Sequence, residues 1–550
     1  MSLNRKLPQV DPSHFAMVPR SDVPRSVFKT EHTVKTTFDV DYLIPIHVDE
    51  VLPGDIHDGD LTVFARLNNL IFPLMDNLTV ETFFFFVPCR LVWDNWKKFM
   101  GEQANPSDSI SYTIPQLVSP TNGFIVGGLA DQFGLPTVGQ LTAGGTVSVN
   151  ALPFRAYNLI FNEWFRDQNL MNSVPVPKGD GPDNIADYNR EKRCKKHDYF
   201  TSALPWPLKG GVEVPVIGSG TAVVKTSPTD LYTGSHDALH FLNISGATPT
   251  AGLNLATYGA DPRTIGQADT ATSPPGAGSR LYPANLYADL STAGGSTINA
   301  MRLAVATQQF LEKDARGGTR YTELLKNHFG VHPEDARLQR PEYIGGGKTI
   351  IQTQAIPQTS ATGITGGTSP QGALTGQATI AGRHRFKYHA TEHGYIIGLV
   401  NVTGDVTYQQ GLNKMWSRQT RFDFYWPTFA HLGEQALYRR EIFARGDAND
   451  TIVFGYQERW AEYRYRPSRI AGLFKSTSTG NIDDWHLAEQ FAAVPPPSLN
   501  ATFIRQNTPM SRALAAGTQA NGVQILWDSV FNIRCTRPIP TYSVLGLTRF

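Results

Sequence analysis

Residues 80–91 read VETFFFFVPCRL, and the four consecutive phenylalanines in this stretch indicate the fold class. Successive side chains of a β-strand point to opposite faces, so a strand here carries aromatic rings on both faces. A strand with one face in water alternates apolar and polar residues, which indicates that this strand is covered on both sides. We expect Phe83 and Phe85 to point into a core between two sheets, and Phe84 and Phe86 to need separate cover.

The cover for the second face is predicted to come from the same chain. In residues 151–170, ALPFRAYNLIFNEWFRDQNL, aromatic and aliphatic residues recur at helical spacing, which predicts a helix with a broad aromatic face. A neighbouring copy of the chain is the alternative, but an exposed phenylalanine stripe on a single copy would promote aggregation. Glu81 and Pro88 bound the phenylalanine run too closely for it to span a lipid bilayer.

Composition favours a mainly β chain and argues against several classes of function. The 550 residues include 49 Gly, 37 Pro, 30 Phe and 20 Tyr, which suits short strands joined by many turns and long loops. The net charge is only +1, so no overall basic field indicates a nucleic-acid-binding protein. No apolar run is long enough for a signal peptide or a transmembrane helix, so we expect neither secretion by that route nor membrane insertion.

The pattern along the chain predicts one body preceded by an arm. Residues 1–36 are polar, proline-punctuated and slightly basic, which indicates an extended N-terminal arm. Strand-like segments begin at residue 37 and return near the C-terminus. Residues 37–550 are therefore predicted to form a single domain with inserted helices.

A large insertion is predicted in the middle of this domain. Residues 211–297 are rich in Gly, Ala, Ser, Thr and Pro, and the span 211–300 holds only nine charged residues. Such a composition predicts a long inserted surface loop with little core of its own. Two helices are predicted to follow, at residues 298–311 and 319–330, with Gly330 ending the second.

The sequence contains no recognisable catalytic motif. It has no phosphate-binding glycine loop, no HExxH zinc motif and no nucleophile elbow, so the chain is predicted not to be an enzyme. The best metal candidates are His384, His389, Glu392 and His393 in GRHRFKYHATEHGY. Their spacing does not bring all four side chains to one face of a strand or helix, and a polar turn before a strand explains them better. We therefore expect no metal site and no cofactor.

The three cysteines, Cys89, Cys194 and Cys535, are too far apart for a paired redox or metal motif. An odd number of widely spaced cysteines indicates free thiols. We expect them to be reduced and buried.

Basic residues are concentrated in one internal segment and at the two ends of the chain. In ERWAEYRYRPSRI, arginines alternate with Tyr463 and Tyr465, which predicts an amphipathic strand with the tyrosines packed inward. The alternative is a surface that stacks bases and contacts phosphates. The two ends of the chain are also basic, and the residues predicted to contact a polyanion are Arg5, Lys6, Arg505, Arg512, Arg534, Arg537 and Arg549.

Several long segments carry a resemblance to a known family. They are RSVFKTEHTVKTTFDVDYLIPIHVDEVLPGD, ALPFRAYNLIFNEWFRDQNL, KKHDYFTSALPWPLKG, FLEKDARGGTRYTELLKNHFGVHPEDARLQRPEYIGG, EHGYIIGL and ERWAEYRYRPSRIAGLF. Together these segments resemble the major capsid proteins of microviruses, the small phages with circular single-stranded DNA, and in particular the gokushovirus branch.

The resemblance implies a fold and a function. The implied fold is mainly β: an eight-stranded antiparallel viral jelly roll, or β-sandwich, with long loop and helical insertions. The implied function is self-assembly into a T=1 icosahedral shell around circular single-stranded DNA, with residues 211–297 as a threefold protrusion that attaches to the host. The implied partners are copies of the chain, the packaged DNA, a small internal DNA-binding protein and a host surface receptor. The chain would be made in the host cytoplasm and reside in the virion.

Two other classes share parts of this pattern. Jelly rolls also serve carbohydrate-binding and carbohydrate-active proteins, but no convincing carboxylate pair stands beside exposed aromatic residues. A secreted adhesin would need an export signal, which we do not find.

Overall fold

The computed structural model describes residues 24–209, 298–318, 320–330, 339–357, 359, 372–515 and 522–542, and short strands within 223–289 and 362–369. The chain divides into two compact units. One comprises Met1–Pro207 with Gly318–Phe550, and the other is Leu208–Gly317.

The first unit is built on one large antiparallel sheet. In the described part of the chain its strands are β1 (Ser26–Phe38), β2 (Ile44–Val51), β3 (Ile56–Leu67), β4 (Leu78–Pro88), β5 (Glu342–Ile350), β6 (Gln352–Pro357), β7 (Leu374–His389), β8 (Gly394–Gly404) and β9 (Ile525–Arg537). Eight of them follow the order β1-β9-β3-β7-β5-β4-β8-β2, and β6 pairs with β7 alone. Because β5 and β6 are separated only by Ile351, they behave as one bent strand.

The sheet is rolled so that its two ends meet. Strands β1 and β2 stand at opposite ends of the strand order, yet the rings of His32 on β1 and His47 on β2 stack with centroids 5.7 Å apart. The rolled sheet encloses one core, which includes Phe38, Ile46, Val63, Phe84, Ile380, Phe386, Ile396, Val400, Trp527 and Phe531. The expected mainly β fold, an antiparallel jelly-roll sandwich, is confirmed.

The phenylalanine run lies on β4, and its two faces are reversed relative to our prediction. Phe84 and Phe86 point into the sandwich core, where their rings stack on those of Phe386 (4.3 Å) and Tyr388 (4.5 Å). Phe85 lies in a second core on the other side of the sheet, and the half-buried Phe83 packs against it. The prediction was wrong because four identical residues do not indicate whether the odd-numbered or the even-numbered side chains of the strand face the core.

Helices of the same chain cover the second face of β4. The α-helices are α1 (Cys89–Val92), α2 (Trp96–Phe99), α3 (Leu129–Gln132), α4 (Leu152–Ile160), α5 (Ile298–Arg316), α6 (Tyr321–Phe329) and α7 (Ala501–Ile504). Helix α4 continues into a π-helical turn, Phe161–Phe165, whose Trp164 and Phe165 rings lie 5.4 and 5.9 Å from that of Phe85. The predicted helical cover is therefore present within one copy of the chain.

Short elements fill the long connections between the main strands. The 3₁₀ turns are Ile185–Asp187, Lys414–Ser417, Arg421–Asp423, Pro427–Phe429, Arg439–Glu441, Ala448–Thr451, Ala461–Tyr463, Gly472–Phe474, Asp483–Trp485 and Met510–Arg512. Small strand pairs outside the main sheet are Gln116–Val118 with Ser148–Asn150, Glu434–Tyr438 with Val453–Glu458, and Thr362–Ile364 with Gly367–Ser369.

Strand β1 corrects the predicted extent of the N-terminal arm. Ser26–Phe38 pairs with β9 along its whole length, so the sheet begins eleven residues before the predicted boundary at 37. Most of its side chains are exposed, which is why the segment reads as a polar arm. Residues 1–23 of the predicted arm lie outside the described residues.

The second unit contains helix α5 and the whole of the predicted insertion, residues 211–297. Its short strands pair as Val223–Thr226 with Leu286–Asp289, Phe241–Asn243 with Leu281–Pro283, and Asn254–Thr257 with Ile265–Ala268. The remainder of 211–297 lies outside the described residues. Helix α5 ends at Arg316, five residues beyond the predicted end at residue 311. Among the described residues, no helix is both long and apolar enough to cross a bilayer.

His47 is expected to weaken the fold in acid. Burial, with smaller effects from His32 and His57, lowers the pKa of His47 to about 3. Below about pH 6.5 the His47 side chain is protonated in the unfolded chain but stays neutral in the folded chain. The free energy of unfolding is therefore unaffected by His47 above about pH 6.5 and decreases as the pH falls from 6.5 towards 3. Between pH 6.5 and 3, the free energy of unfolding of wild type should fall by about 1.4 kcal/mol per pH unit relative to that of His47→Phe. Urea denaturation of both proteins at several pH values measures this difference.

Asp41 provides a control of opposite sign. Its buried carboxylate accepts hydrogen bonds from the backbone N–H and hydroxyl of Thr508 at 2.6 and 2.7 Å, yet burial raises the pKa of Asp41 to about 6. The folded chain binds this proton more readily than the unfolded chain, so stability should rise relative to Asp41→Asn as the pH falls through 6. A His47→Phe variant that tracks wild type at every pH would contradict the expectation for His47.

Candidate functional site

One cluster of possible metal ligands lies in the sheet, at the turn between β2 and β3. In the described part of the chain, the ligand atoms of Asp55, His57 and Cys535 all lie within 4.8 Å of one another. The Arg537 guanidinium lies 3.0 Å from the Asp55 carboxylate, which also accepts the backbone N–H of Leu52. Burial raises the pKa of the Cys535 thiol to about 11. Because the carboxylate already has a cationic partner and the thiol holds its proton, the arrangement ties the turn to β9 rather than offering a preformed cation site.

The predicted metal candidates are not brought together. His384 is buried, and its two ring nitrogens lie 2.6 and 2.8 Å from the hydroxyls of Thr82 and Thr349. Glu392 instead pairs with Arg90 at 2.8 Å. The predicted turn around His384 is also wrong, because this residue lies in the middle of strand β7. The alternation of charged residues with His384, Phe386 and Tyr388 over residues 383–388 indicates this strand.

The three cysteines are free, as expected. Cys89 and Cys535 are buried, whereas Cys194 is half-buried, with its sulfur 3.4 Å from that of Met171. Burial raises the pKa of the Cys194 thiol to about 11, so the thiolate needed for reactivity is scarce near neutral pH.

The predicted polyanion contacts fall into three groups. Outside the described residues lie Arg5, Lys6 and Arg549. Arg512 and Arg537 are engaged internally: Arg512 donates to two backbone carbonyls at 2.8 Å, and Arg537 donates to one at the same distance. Arg534 is exposed on β9, and Arg505 reaches a glutamate only at 3.4 Å. Arg505 and Arg534 are therefore the described members best placed to meet an external anion.

The predicted amphipathic strand through residues 459–469 is wrong. Strand pairing stops at Glu458, and the chain turns at Trp460, whose φ of 68° is left-handed. The following residues form a 3₁₀ turn and an irregular segment. Tyr463 is 52% exposed instead of packed inward, while Tyr465 stacks on Tyr199 with ring centroids 5.7 Å apart.

Two loop segments, residues 418–426 and 459–469, meet in one exposed region that we call the aromatic–arginine surface. Tyr425 joins them. Its backbone N–H donates to the Tyr463 hydroxyl at 3.4 Å, and its ring centroid lies 5.6 Å from that of Trp460. The two segments therefore form a single surface although they are separated in sequence.

Arg418 holds the centre of this surface. Its guanidinium carbon lies 4.4 Å from the ring centre of Tyr463 and 5.3 Å from that of Phe424. It also pairs with Glu462 at 3.1 Å, and both charged groups are largely buried. A guanidinium that lies over both rings and pairs with a carboxylate holds these exposed rings in place.

The rings around Arg418 are unusually open to solvent. The exposed fractions are Phe422 54%, Phe424 51%, Tyr425 46%, Trp426 49% and Tyr463 52%. A contiguous exposed aromatic area of this kind marks an interaction surface. Sequence reasoning singled out residues 459–469 but missed 418–426, where RQTRFDFYW places arginines beside aromatic residues without the period of a strand or helix.

The fold and this surface together indicate a class of protein. Double-sheet jelly rolls form viral capsid and lectin domains, and a large exposed aromatic area on the loops marks a surface for contact with partners, which a capsid subunit needs. Residues 16–547 match the family described as Capsid protein (F protein), and the chain belongs to this family.

The relatives are similar over their full lengths. The chain is 46% identical to Capsid protein VP1 of Bdellovibrio phage phiMH2K over 537 residues, which cover 96% of this chain and 97% of the relative. It is 41% identical to Capsid protein VP1 of Chlamydia phage 1, with 100% of both chains covered. It is 38% identical to Capsid protein VP1 of Spiroplasma virus 4, with 97% of both covered.

These matches confirm the resemblance to microvirus major capsid proteins of the gokushovirus-like branch. The chain is therefore a structural capsid protein of the virion that assembles with copies of itself into a shell.

Proposed function

We propose that this chain builds a closed T=1 icosahedral shell around circular single-stranded DNA. The observation that carries the proposal is the full-length similarity to capsid proteins, which extends through the long loops as well as the sandwich. Capsid subunits meet through repeated, symmetric interfaces, and such interfaces require large complementary surfaces outside the core.

The structure supports this role because the core and the surface available for assembly lie in different parts of the chain. The sandwich core is closed within one copy, with Phe84 and Phe531 fully buried. The connection from β8 to β9 is long and carries exposed aromatic residues such as Trp416, which is 71% exposed. A subunit built this way can fold alone and still present apolar surface for assembly.

Electron microscopy of the purified full-length chain, combined with size-exclusion chromatography, tests the proposal. We expect uniform closed particles of megadalton mass that protect single-stranded DNA from added nuclease. Small oligomers, or shells that leave all DNA open to digestion, would contradict it.

We also propose that residues 211–297 form the protrusion that attaches to a host surface receptor. Their low charge and small polar residues suit a surface segment that the core does not need. Deleting residues 220–290 should leave shell formation intact and greatly reduce adsorption to host cells, measured by counting unbound particles after mixing. Normal infectivity of particles that lack residues 220–290 would refute the attachment role. A deletion within the β8 to β9 connection serves as the comparison for shell formation and adsorption.

Contacts with the packaged DNA are proposed at the basic ends of the chain, together with a small internal DNA-binding protein as a further partner. Among the described candidates, Arg505 and Arg534 have side chains available for phosphate. Replacing both with glutamine should lower the DNA content of purified particles, measured as the ratio of absorbance at 260 and 280 nm. The control is Arg512→Gln, which loses internal hydrogen bonds and should lower stability more than DNA content.

A further inference from the structure

We propose that the aromatic–arginine surface binds single-stranded DNA, with bases stacked on its exposed rings and phosphates held by its arginines. The inference rests on the proposed function, because a DNA genome inside the shell supplies the ligand. It assigns that ligand to loop segments away from the two ends of the chain.

The rings supply the first requirement. Phe422 and Phe424 expose half or more of their area, and Tyr425 and Trp426 nearly as much. Every nucleobase has a flat aromatic face, so such rings bind single strands with little regard to sequence. In a duplex those faces are hidden in the base stack, which makes a ring-rich surface fit a single strand better than double-stranded DNA.

The charges supply the second requirement. The two segments contain six arginines and two carboxylates: Arg418, Arg421, Arg459, Arg464, Arg466 and Arg469 against Asp423 and Glu462. This local excess stands in a chain whose net charge is only +1. The carboxylates are already engaged, because Asp423 accepts the backbone N–H groups of residues 419 and 420, and Glu462 is held by Arg418.

Several arginines remain free to meet phosphate. Arg464 pairs with Glu458, but in the described part of the chain no carboxylate pairs with Arg421, Arg466 or Arg469, and all three are exposed. The Arg421 guanidinium lies 4.8 Å from the ring centre of Phe422, so a cation and a stacking platform occur side by side.

The charge excess favours DNA over a second copy of the chain as the occupant. An interface between identical copies that buried three unpaired arginines would need acidic partners to offset their desolvation. A phosphodiester backbone provides those negative charges at every nucleotide.

Fluorescence anisotropy with a labelled oligothymidylate tests the proposal on the full-length chain. Phe422→Leu with Phe424→Leu keeps apolar area but removes the aromatic faces, and should weaken binding by about ten-fold or more. Arg421→Gln with Arg466→Gln and Arg469→Gln should reduce the slope of log affinity against log salt by about 2, because each lost phosphate contact removes about 0.7.

A matched control lies on strand β3. Phe64 is 52% exposed and the Arg66 guanidinium lies 5.5 Å from its ring centre, which repeats the same pair of groups outside the surface. Phe64→Leu with Arg66→Gln should leave the affinity unchanged. Equal losses in the control and in the leucine variant would overturn the assignment.

Electron microscopy of the same variants separates the inference from the proposed function. If the leucine and glutamine variants form shells and bind the oligonucleotide as tightly as wild type, the DNA site is wrong while the shell function stands. If the glutamine variant fails to form shells but keeps its DNA affinity, the surface is a contact between copies and the inference is again overturned. If wild type forms no shells, the proposed function fails, whereas the anisotropy result still decides whether the surface binds DNA.

Discussion

Replacing Phe84 with alanine should lower the free energy of unfolding by about 3–5 kcal/mol. The ring is fully buried, stacks on Phe386 at 4.3 Å, and meets Phe531 edge-on at 6.3 Å. It also lies over Gly398, where an added Cβ would come within 2.6 Å of the ring. Because the ring fills the space that this glycine leaves open, its removal creates a cavity where both halves of the sandwich meet. Urea denaturation of the full-length chain, followed by tryptophan fluorescence, measures the loss.

The control for this prediction is Phe64→Ala. Phe64 lies on the outer face of β3 and is 52% exposed, so its removal should change the free energy of unfolding by about 0.5 kcal/mol or less. A Phe84→Ala variant no less stable than Phe64→Ala would show that the interior of the sandwich does not depend on this ring.

Replacing Arg155 with methionine should also cost about 3–5 kcal/mol of unfolding free energy. Its guanidinium binds both oxygens of Asp183, at 2.8 and 2.5 Å, and donates to the carbonyls of Val92 and Gly179 at 3.0 and 2.9 Å. Both charged side chains are almost fully buried. Without the arginine, the Asp183 carboxylate would remain buried with only the Tyr188 hydroxyl as a donor from this cluster. Urea denaturation measures the change.

A double variant tests the cause of that loss. Arg155→Met with Asp183→Leu removes the uncompensated charge along with its partner, and should recover a substantial part of the stability lost in the single variant. If the double variant is as unstable as the single one, packing of the long arginine side chain rather than the ion pair explains the effect.

The local features of the fold were predictable because short-range chemistry determines them. Helix α6 ends at Gly330 with a left-handed φ of 71°, a conformation that glycine adopts without strain. Helix α4 was predictable from its aromatic spacing. The phenylalanine run indicated a doubly covered strand on the same kind of local argument.

Features that depend on distant partners were not predictable in the same way. Strand β1 has a polar sequence, yet it pairs fully with β9, which lies at the other end of the chain. Strand β7 was missed because its inward residues include His384, which is acceptable in the core only because two threonine hydroxyls satisfy its ring. The segment 459–469 has the alternation of a strand, but no strand in the described part of the chain pairs with it, and the chain turns at Trp460 instead.

The sequence by itself determined that this protein is a β-rich capsid subunit, since long family-specific segments and a solid aromatic strand are properties of the chain alone. Only the tertiary structure decided which phenylalanines face the sandwich core, because the face to which each side chain points depends on the register between β4 and its neighbours. It also decided that residues 418–426 and 459–469 form one surface. Their rings and arginines come from separate loops, and only the folded chain places Tyr425 against Tyr463.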